Sequence, residues 1–304
     1  MLVELSPHLS ERIWGGTKLL KLKNISAEKK FQDPIGETWE VSTHPEGVSK
    51  LKATKELLNQ FVTLPYLVKL LDTASVLSVQ VHPDDHYAEI HENQKGKNEC
   101  WLILEANEGA GIYLGFKPGI TKEILKTALI NQEDISVMLN FIPVKKGDFF
   151  FVPAGTIHAI GAGITMVEVQ QSSGVTYRVW DWNRVDAKGK SRELHIDKSF
   201  DVLVDDPSKN SLDFFRHREN ILKGNERIIN LASENDFNFV VYVLKANEKE
   251  KIPLINGKTY SFMVLSGQVK VDDIVICPFE TYCVLNNIEL SFQAIGDCQI
   301  CLFY

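Results

Sequence analysis

From residue 148 to residue 182 short apolar runs are interrupted by glycine and proline at close spacing. Asp148-Phe149-Phe150-Phe151-Val152 stops at Pro153-Ala154-Gly155, and Ile157 to Ile160, Ile164 to Gln171 and Thr176 to Trp182 follow. Runs this short, punctuated this often, predict strands of an antiparallel barrel or sandwich. The same texture returns after Phe237, with candidates at Phe239 to Leu244, Tyr260 to Leu265, Gln268 to Val271, Thr281 to Val284 and Cys298 to Phe303. Ser266-Gly267 joins two of these in hairpin fashion. Residues 183–232 are more charged and less regular, and read as a connection between two β units or as packing beside the first. No exact repeat relates the halves.

The first half is more mixed. Pro7, Gly15-Gly16, Asp33-Pro34 and Gly36 mark turns, a short helix is expected around Lys52 to Asn59, and Pro65 interrupts the chain before an extended segment. Val76 to His82 alternates: Leu77, Val79 and Val81 face one way, and Ser78, Gln80 and His82 the other. Pro83-Asp84-Asp85 reads as a turn. Further strands are expected from Glu99 to Leu104 and from Gly109 to Phe116. Thr121 to Asn140 reads as helix in two pieces, with Ile124, Leu125, Ala128 and Leu129 on one apolar face and Ile135, Met138 and Leu139 on the other.

The composition narrows the function. The 304 residues carry a net charge of -7, from 33 basic and 40 acidic side chains, with no basic tract. Nucleic acid is therefore not an expected partner, and a local positive pocket for a small anion is compatible with this balance. No apolar stretch approaches the roughly 18 residues of a membrane span, and the N-terminus lacks a signal-peptide pattern. The 5 cysteines, Cys100, Cys277, Cys283, Cys298 and Cys301, are odd in number and loosely spaced. They read as buried thiols in strands rather than a disulfide framework, which points to a reducing cytoplasm.

Gln80 and His82 share a strand face at i and i+2 and can converge on one point. Glu99 opens the next strand candidate and offers an anionic oxygen, and His158 follows the Pro153-Ala154-Gly155-Thr156 turn. Imidazole and carboxylate suit zinc and neighbouring transition metals. Taken singly, a strand histidine is more often a hydrogen-bonded core or surface residue, but a polar face inside apolar sequence needs partners, and metal ligation provides them. His86 and His91 lie beyond the turn and read as surface residues. Gly15-Gly16 and Gly161-Ala162-Gly163 do not complete a nucleotide-binding pattern. No histidine follows His217, so the C-terminal strands cannot repeat such a site.

Gln80-Val81-His82-Pro83-Asp84-Asp85, Pro153-Ala154-Gly155-Thr156-Ile157-His158-Ala159 and Thr176-Tyr177-Arg178-Val179-Trp180-Asp181-Trp182-Asn183-Arg184 resemble three blocks of the type I mannose-6-phosphate isomerases. Trp14-Gly15-Gly16 and Gly36-Glu37-Thr38-Trp39-Glu40-Val41-Ser42 match as well, and together these blocks span most of residues 10–200 in family order. The departures are small: Asn98 stands where some relatives have proline, and Asn183 where glycine is common. The resemblance implies a mainly-β protein of two cupin-like jelly-roll β-barrel domains with a helical insertion in the first. Residues 1–232 would form the metal-binding catalytic domain and 233–304 a smaller domain without a metal site. It implies one zinc ion held by Gln80, His82, Glu99 and His158. It also implies a sugar 6-phosphate substrate, interconverted between mannose and fructose forms through a cis-enediol. Arg178 would stabilise developing charge or bind the phosphate, its alternative being an ion pair with Asp181. Lys97 would bind phosphate or hydroxyl groups. Glu168 is a candidate for the general base, which the residues leave open, and Gln170, Glu40 and Trp39 are further pocket candidates. The competing readings are another metal-dependent sugar-phosphate isomerase, a noncatalytic metal-containing sugar-binding or regulatory cupin, and a structural β protein with a histidine-lined core.

Overall fold

The computed structural model describes the chain except residues 27–30, 186–188, 253–258 and 286–287. The first part contributes β1 (Leu2–Ser6), β2 (His8–Glu11), β3 (Ile35–Val41), β4 (Lys50–Leu51), β5 (Tyr66–Thr73), β6 (Val79–Val81) and β7 (Glu99–Ala106). Then come β8 (Gly111–Phe116), β9 (Leu139–Pro143), β10 (Phe149–Val152), β11 (His158–Ile160), β12 (Ile164–Gln171) and β13 (Tyr177–Trp180). The last part adds β14 (Ile228–Ser233), β15 (Asn238–Leu244), β16 (Lys249–Ile252), β17 (Tyr260–Ser266), β18 (Val269–Val271), β19 (Ile274–Ile276), β20 (Thr281–Val284), β21 (Leu290–Ala294) and β22 (Cys298–Phe303). Four helices accompany them among the described residues: α1 (Lys18–Leu22), α2 (Asp85–Glu92), α3 (Lys122–Ile130) and α4 (Ile196–Val202).

The strands form four antiparallel sheets, ordered β13-β6-β11-β8-β9, β10-β7-β12-β5-β3-β2, β14-β15-β22-β17-β20-β1-β4 and β16-β21-β18-β19. The expected jelly-roll barrels are therefore not formed. Closure requires the two edge strands of a sheet to pair, and among the described residues no sheet joins its own edges. Alternation along a strand reports which face is buried, and leaves its neighbours and the closure of the sheet undetermined.

Instead, open sheets stack face to face. One core joins the five-stranded and six-stranded sheets through Trp101, Ile103, Ile112, Leu114, Phe150, Ile160 and Met166. The opposite face of the six-stranded sheet, with Val68, Leu70, Cys100, Leu102 and Val169, packs on Phe239, Val241, Met263 and Cys301 of the seven-stranded sheet. That sheet in turn meets the smallest one through Phe262, Val264, Val271 and Phe292. Strand β7 shows the logic: Glu99, Trp101 and Ile103 face the first interior, and Cys100, Leu102 and Leu104 the second.

Helices α3 and α4 cover the outer face of the five-stranded sheet, where Leu125, Ala128 and Leu203 meet Val79, Val81 and Val179. The two-piece helix expected over 121–140 is α3 followed by a 3₁₀ turn at Ile135–Met138, and the chain is already strand from Leu139. Thr121 caps α3 by accepting from the Ile124 amide, and Asp134 caps the turn. Ile124, placed on the apolar face by its spacing, is 42% exposed. The helix expected at Lys52 to Asn59 is absent. That stretch is a turn with Lys55 at φ 67°, followed by a 3₁₀ turn at Leu58–Gln60. Pro83-Asp84-Asp85 opens α2, because the Asp84 carboxylate that suits a turn here accepts from the Tyr87 amide as an N-cap. This helix carries His86 and His91 on the exterior. The strand expected to begin at Val76 starts at Val79, and Leu77, which precedes it, packs in the sheet–sheet core instead of with Val79 and Val81. Cys100, Cys283, Cys298 and Cys301 are buried in strands, and Cys277 is half-buried. None of the described helices is long and apolar enough to cross a membrane.

Candidate active site

Two rows of registered residues face each other across the first interior. On the five-stranded sheet Arg178 lies opposite Gln80 and Gln80 opposite His158, so β13, β6 and β11 present these side chains on one face. On the six-stranded sheet Trp101, Glu168, Lys69 and Trp39 form a row across β7, β12, β5 and β3, with Glu99 registered to Gln170 beside it. Between the rows lies a cavity of about 290 Å³ lined by Gln80, Lys97, Glu99, Glu168, Lys69 and Arg178 among others.

His82, Glu99 and His158 converge at one end of this interior, with one ligand atom from each within 4.8 Å of the others. His82 Nδ1 lies 3.0 Å from the Val175 carbonyl and His158 Nδ1 2.9 Å from the Thr156 carbonyl. A carbonyl only accepts, so each Nδ1 carries the proton and each Nε2 is left with a lone pair. Those two Nε2 atoms lie 3.2 and 3.9 Å from the Glu99 carboxylate oxygens. His158 Nε2 is buried with no hydrogen-bond partner among the described residues. Burial, and then the Lys97 charge, pushes His82 down to about 3, and burial lowers His158 as well. Burial acts to raise Glu99, but Lys97 and then His82 hold it well below the usual carboxylate range. Lys97 meets the His82 side of the cluster, but the buried His158 Nε2 lone pair has no donor among the described residues, and a cation between the two imidazoles and Glu99 would satisfy it, so the donor set fits a metal ion. Trp101 Nε1 donates to Glu99 Oε2 at 3.1 Å and orients it from behind. The Gln80 amide faces the cavity without a hydrogen-bond partner among the described residues.

The turn leading to His158 is built from backbone chemistry. Gly155 has φ 83°, and a Cβ there would lie 2.6 Å from a Val204 methyl. Asn98, which replaces the proline of some relatives, accepts from the Ala154 amide at 2.8 Å and ties this turn to the start of β7. Asn183, at the position where glycine is common, has φ 53°, a conformation that asparagine tolerates better than most residues.

Lys97 is buried, with Nζ 2.6 Å from Glu99 and 3.4 Å from His82 Nε2. Glu168 pairs with Lys69 at 3.0 Å, and its pKa is raised by burial and then by Glu99, against the pull of Lys69. Arg178 donates to the Glu193 carbonyl at 2.7 Å. It is not paired with Asp181, whose carboxylate is held by Arg184 and Arg192. Gln170 donates to the Gln171 and Ser173 carbonyls, and so braces the loop below the cavity. Trp39 lines the cavity. Glu40, its neighbour, points into the other interior and pairs with Lys23 and Thr281.

Lys69, Glu37 and Arg12 also line the cavity and escaped the sequence reading. The signal for Lys69 was present: a lone lysine within Leu67-Val68-Lys69-Leu70-Leu71 is costly unless paired. Glu37 accepts from Arg12 at 3.1 and 3.2 Å and from Trp39 at 2.7 Å. Burial acts to raise its pKa, but Lys69 and Arg12 overcome that and bring it from 4.5 to about 2. A depressed carboxylate stabilises the fold above its unfolded pKa, and the contribution disappears as pH falls through its folded pKa. Glu37→Gln should therefore be less stable than the parent at neutral pH by on the order of 3 kcal/mol. Denaturant titrations should show the gap closing as pH falls from 4.5 toward 2. A gap independent of pH would refute this account.

A stacked-sheet β scaffold with a buried His/His/Glu set able to coordinate a metal defines the class of protein. The family profile described as phosphomannose isomerase type I, catalytic domain, matches residues 2–102. The mannose-6-phosphate isomerase of Streptococcus mutans is 42% identical over 216 residues, covering 66% of this chain and 67% of that protein. A probable mannose-6-phosphate isomerase of Bacillus subtilis is 41% identical over 217 residues, with 66% and 67% covered. The crystal structure of the mannose 6-phosphate isomerase from Bacillus subtilis superposes with a TM-score of 0.83 at 27% identity, covering 100% of this chain and 99% of that one. The chain belongs to the type I mannose-6-phosphate isomerase family and is an enzyme.

Proposed function

We propose that the enzyme is a zinc-dependent aldose–ketose isomerase that interconverts D-mannose 6-phosphate and D-fructose 6-phosphate through a cis-enediol. The named activity of its relatives supports the reaction. The observation that carries the metal is the buried, partnerless His158 Nε2 beside His82 and Glu99, the three ligand atoms lying within 4.8 Å of one another. Gln80, His82, Glu99 and His158 are assigned as zinc ligands. Zinc, when bound, supplies Lewis-acid stabilisation for negative charge on the sugar's carbonyl oxygen.

The other roles belong to the chain. Glu168 is assigned to proton transfer between C2 and C1: of the two buried cavity carboxylates outside the His/His/Glu set, Glu37 is tied to Arg12 and Trp39 and its pKa is depressed, which leaves Glu168. Its raised pKa brings it nearer the working pH of a general base. Lys69 holds it in place. Lys97 is assigned to substrate hydroxyls, and Arg178 to the substrate's negative charge. The chemistry is assigned to residues 1–232 and a packing role to residues 233–304, whose strands share the seven-stranded sheet with β1, β4 and β14. The buried thiols accord with a cytoplasmic setting.

Conversion of mannose 6-phosphate to fructose 6-phosphate should be lost after chelation and return with one equivalent of zinc. Folded, zinc-loaded protein that binds the sugar phosphate without turnover would overturn the catalytic reading and favour a sugar-binding role.

A further inference from the structure

The cavity's charges are unevenly matched. Three of its cations already hold a cavity carboxylate: Arg12 with Glu37, Lys69 with Glu168 and Lys97 with Glu99. The remaining lining carboxylate, Glu46, is exposed. The two other cations on the wall, Arg178 and Arg192, have no such partner. Arg178 donates only to a neutral carbonyl, and its Nε is buried without a hydrogen-bond partner among the described residues. Arg192 grips Asp181 with two nitrogens, and Asp181 is already shared with Arg184. One carboxylate therefore forms ion pairs with two guanidiniums, while Arg178 beside them forms none among the described residues. The proximity is felt electrostatically: burial first, then Arg192, lowers the Arg178 pKa.

Resting on the sugar-phosphate reading above, we propose that Arg192, held in place by Asp181, completes with Arg178 a two-guanidinium subsite that binds the substrate's phosphate and fixes specificity for phosphorylated sugars. Fork-shaped guanidiniums match phosphate oxygens in pairs. The spacing also suits it. Arg178 and His158 stand two strands apart in one sheet, roughly 10 Å between backbones, a gap that an open-chain sugar phosphate bridges with its carbonyl end at the His/His/Glu cluster. Asp181 is a positioning residue here, setting the Arg192 fork.

The test uses the zinc-loaded enzyme with Arg192→Gln and Arg192→Lys. For the glutamine variant KM for mannose 6-phosphate should rise roughly 10- to 100-fold, with kcat held within about threefold and competitive inhibition by inorganic phosphate weakened by a similar factor. Lysine, which keeps the charge and loses the fork, should fall between. Turnover or binding of unphosphorylated mannose should not change. Unchanged KM and phosphate inhibition in Arg192→Gln would overturn the proposal, as would an equal loss with both sugars, which marks a merely structural role. Calorimetry with inorganic phosphate separates the two readings. If the parent shows no isomerase activity yet binds phosphate through Arg192, the reaction is wrong and the subsite stands.

Discussion

On the proposed zinc assignment, His158→Ala should leave a folded protein that no longer retains the metal and turns over mannose 6-phosphate roughly a thousandfold or more slowly. Lewis-acid stabilisation of a developing oxyanion is worth several kcal/mol, and each 1.36 kcal/mol is tenfold in rate. His158 is fully buried, with Nδ1 committed to Thr156 and Nε2 directed at the cluster. Its replacement leaves His82 and Glu99 in place but removes one of the two imidazole donors. Folding survives because the ring's removal creates a small cavity without stranding a charge, at a cost of about 1–3 kcal/mol. Metal analysis and turnover on the same sample check this. A variant that keeps stoichiometric zinc and near-parental turnover would remove His158 from the site.

Lys69→Met is the second large effect, and it falls on stability as well as catalysis. Both side chains of the Lys69–Glu168 pair are almost wholly buried, and their ends are 3.0 Å apart. Removing one member of such a pair costs about 3–5 kcal/mol, because the survivor keeps its desolvation penalty without its attraction. Glu37 loses a neighbouring cation in the same substitution, since Lys69 is the largest influence holding its pKa down. Adding Glu168→Gln should restore a good part of the stability while leaving the enzyme inactive, which distinguishes the electrostatic account from simple loss of packing. Urea unfolding of the parent, the two singles and the double gives the coupling. Additive losses would contradict it.

Why the sequence disclosed some of this and concealed the rest follows from the range of each interaction. The polar face of Gln80 and His82 is visible because its partners are two residues apart and the strand periodicity is strict. Glu99 and His158 were candidates by residue type and strand position, and the resemblance joined them to one ligand set; the structure brings both within reach of His82. Lys69 had no such help, since Glu168, which makes it tolerable, lies far along the chain on β12. Glu40 sits in the same matched block as Glu37 and Trp39, yet alternation along β3 sends it to the opposite interior, with the register shift after Trp39 just beyond. The open sheets were hidden for a related reason. Hydrophobic alternation specifies two buried faces for β5, β7 and β12, and both a curled barrel and a flat stack satisfy it. The choice is made by strand pairing at the edges, which residue pattern does not encode locally. The missing helix at Lys52 to Asn59 turns on one backbone angle at Lys55, an αL conformation that a lysine adopts only when the surroundings impose it.

Strand β1 is hydrogen-bonded on one side to β4 and on the other to β20, where Leu2 is registered to Val284. During synthesis, β1 leaves the ribosome well before β20 and must wait for it before its second edge is satisfied. Over that interval the N-terminal edge and the apolar back of the six-stranded sheet, which the seven-stranded sheet eventually seals, remain open to other chains. Pairings of such long sequence separation also close slowly. The protein's vulnerability to aggregation is thus concentrated in its biogenesis, and expression at low temperature or with chaperones that shield strand edges should raise the yield of folded protein without any change in the finished enzyme.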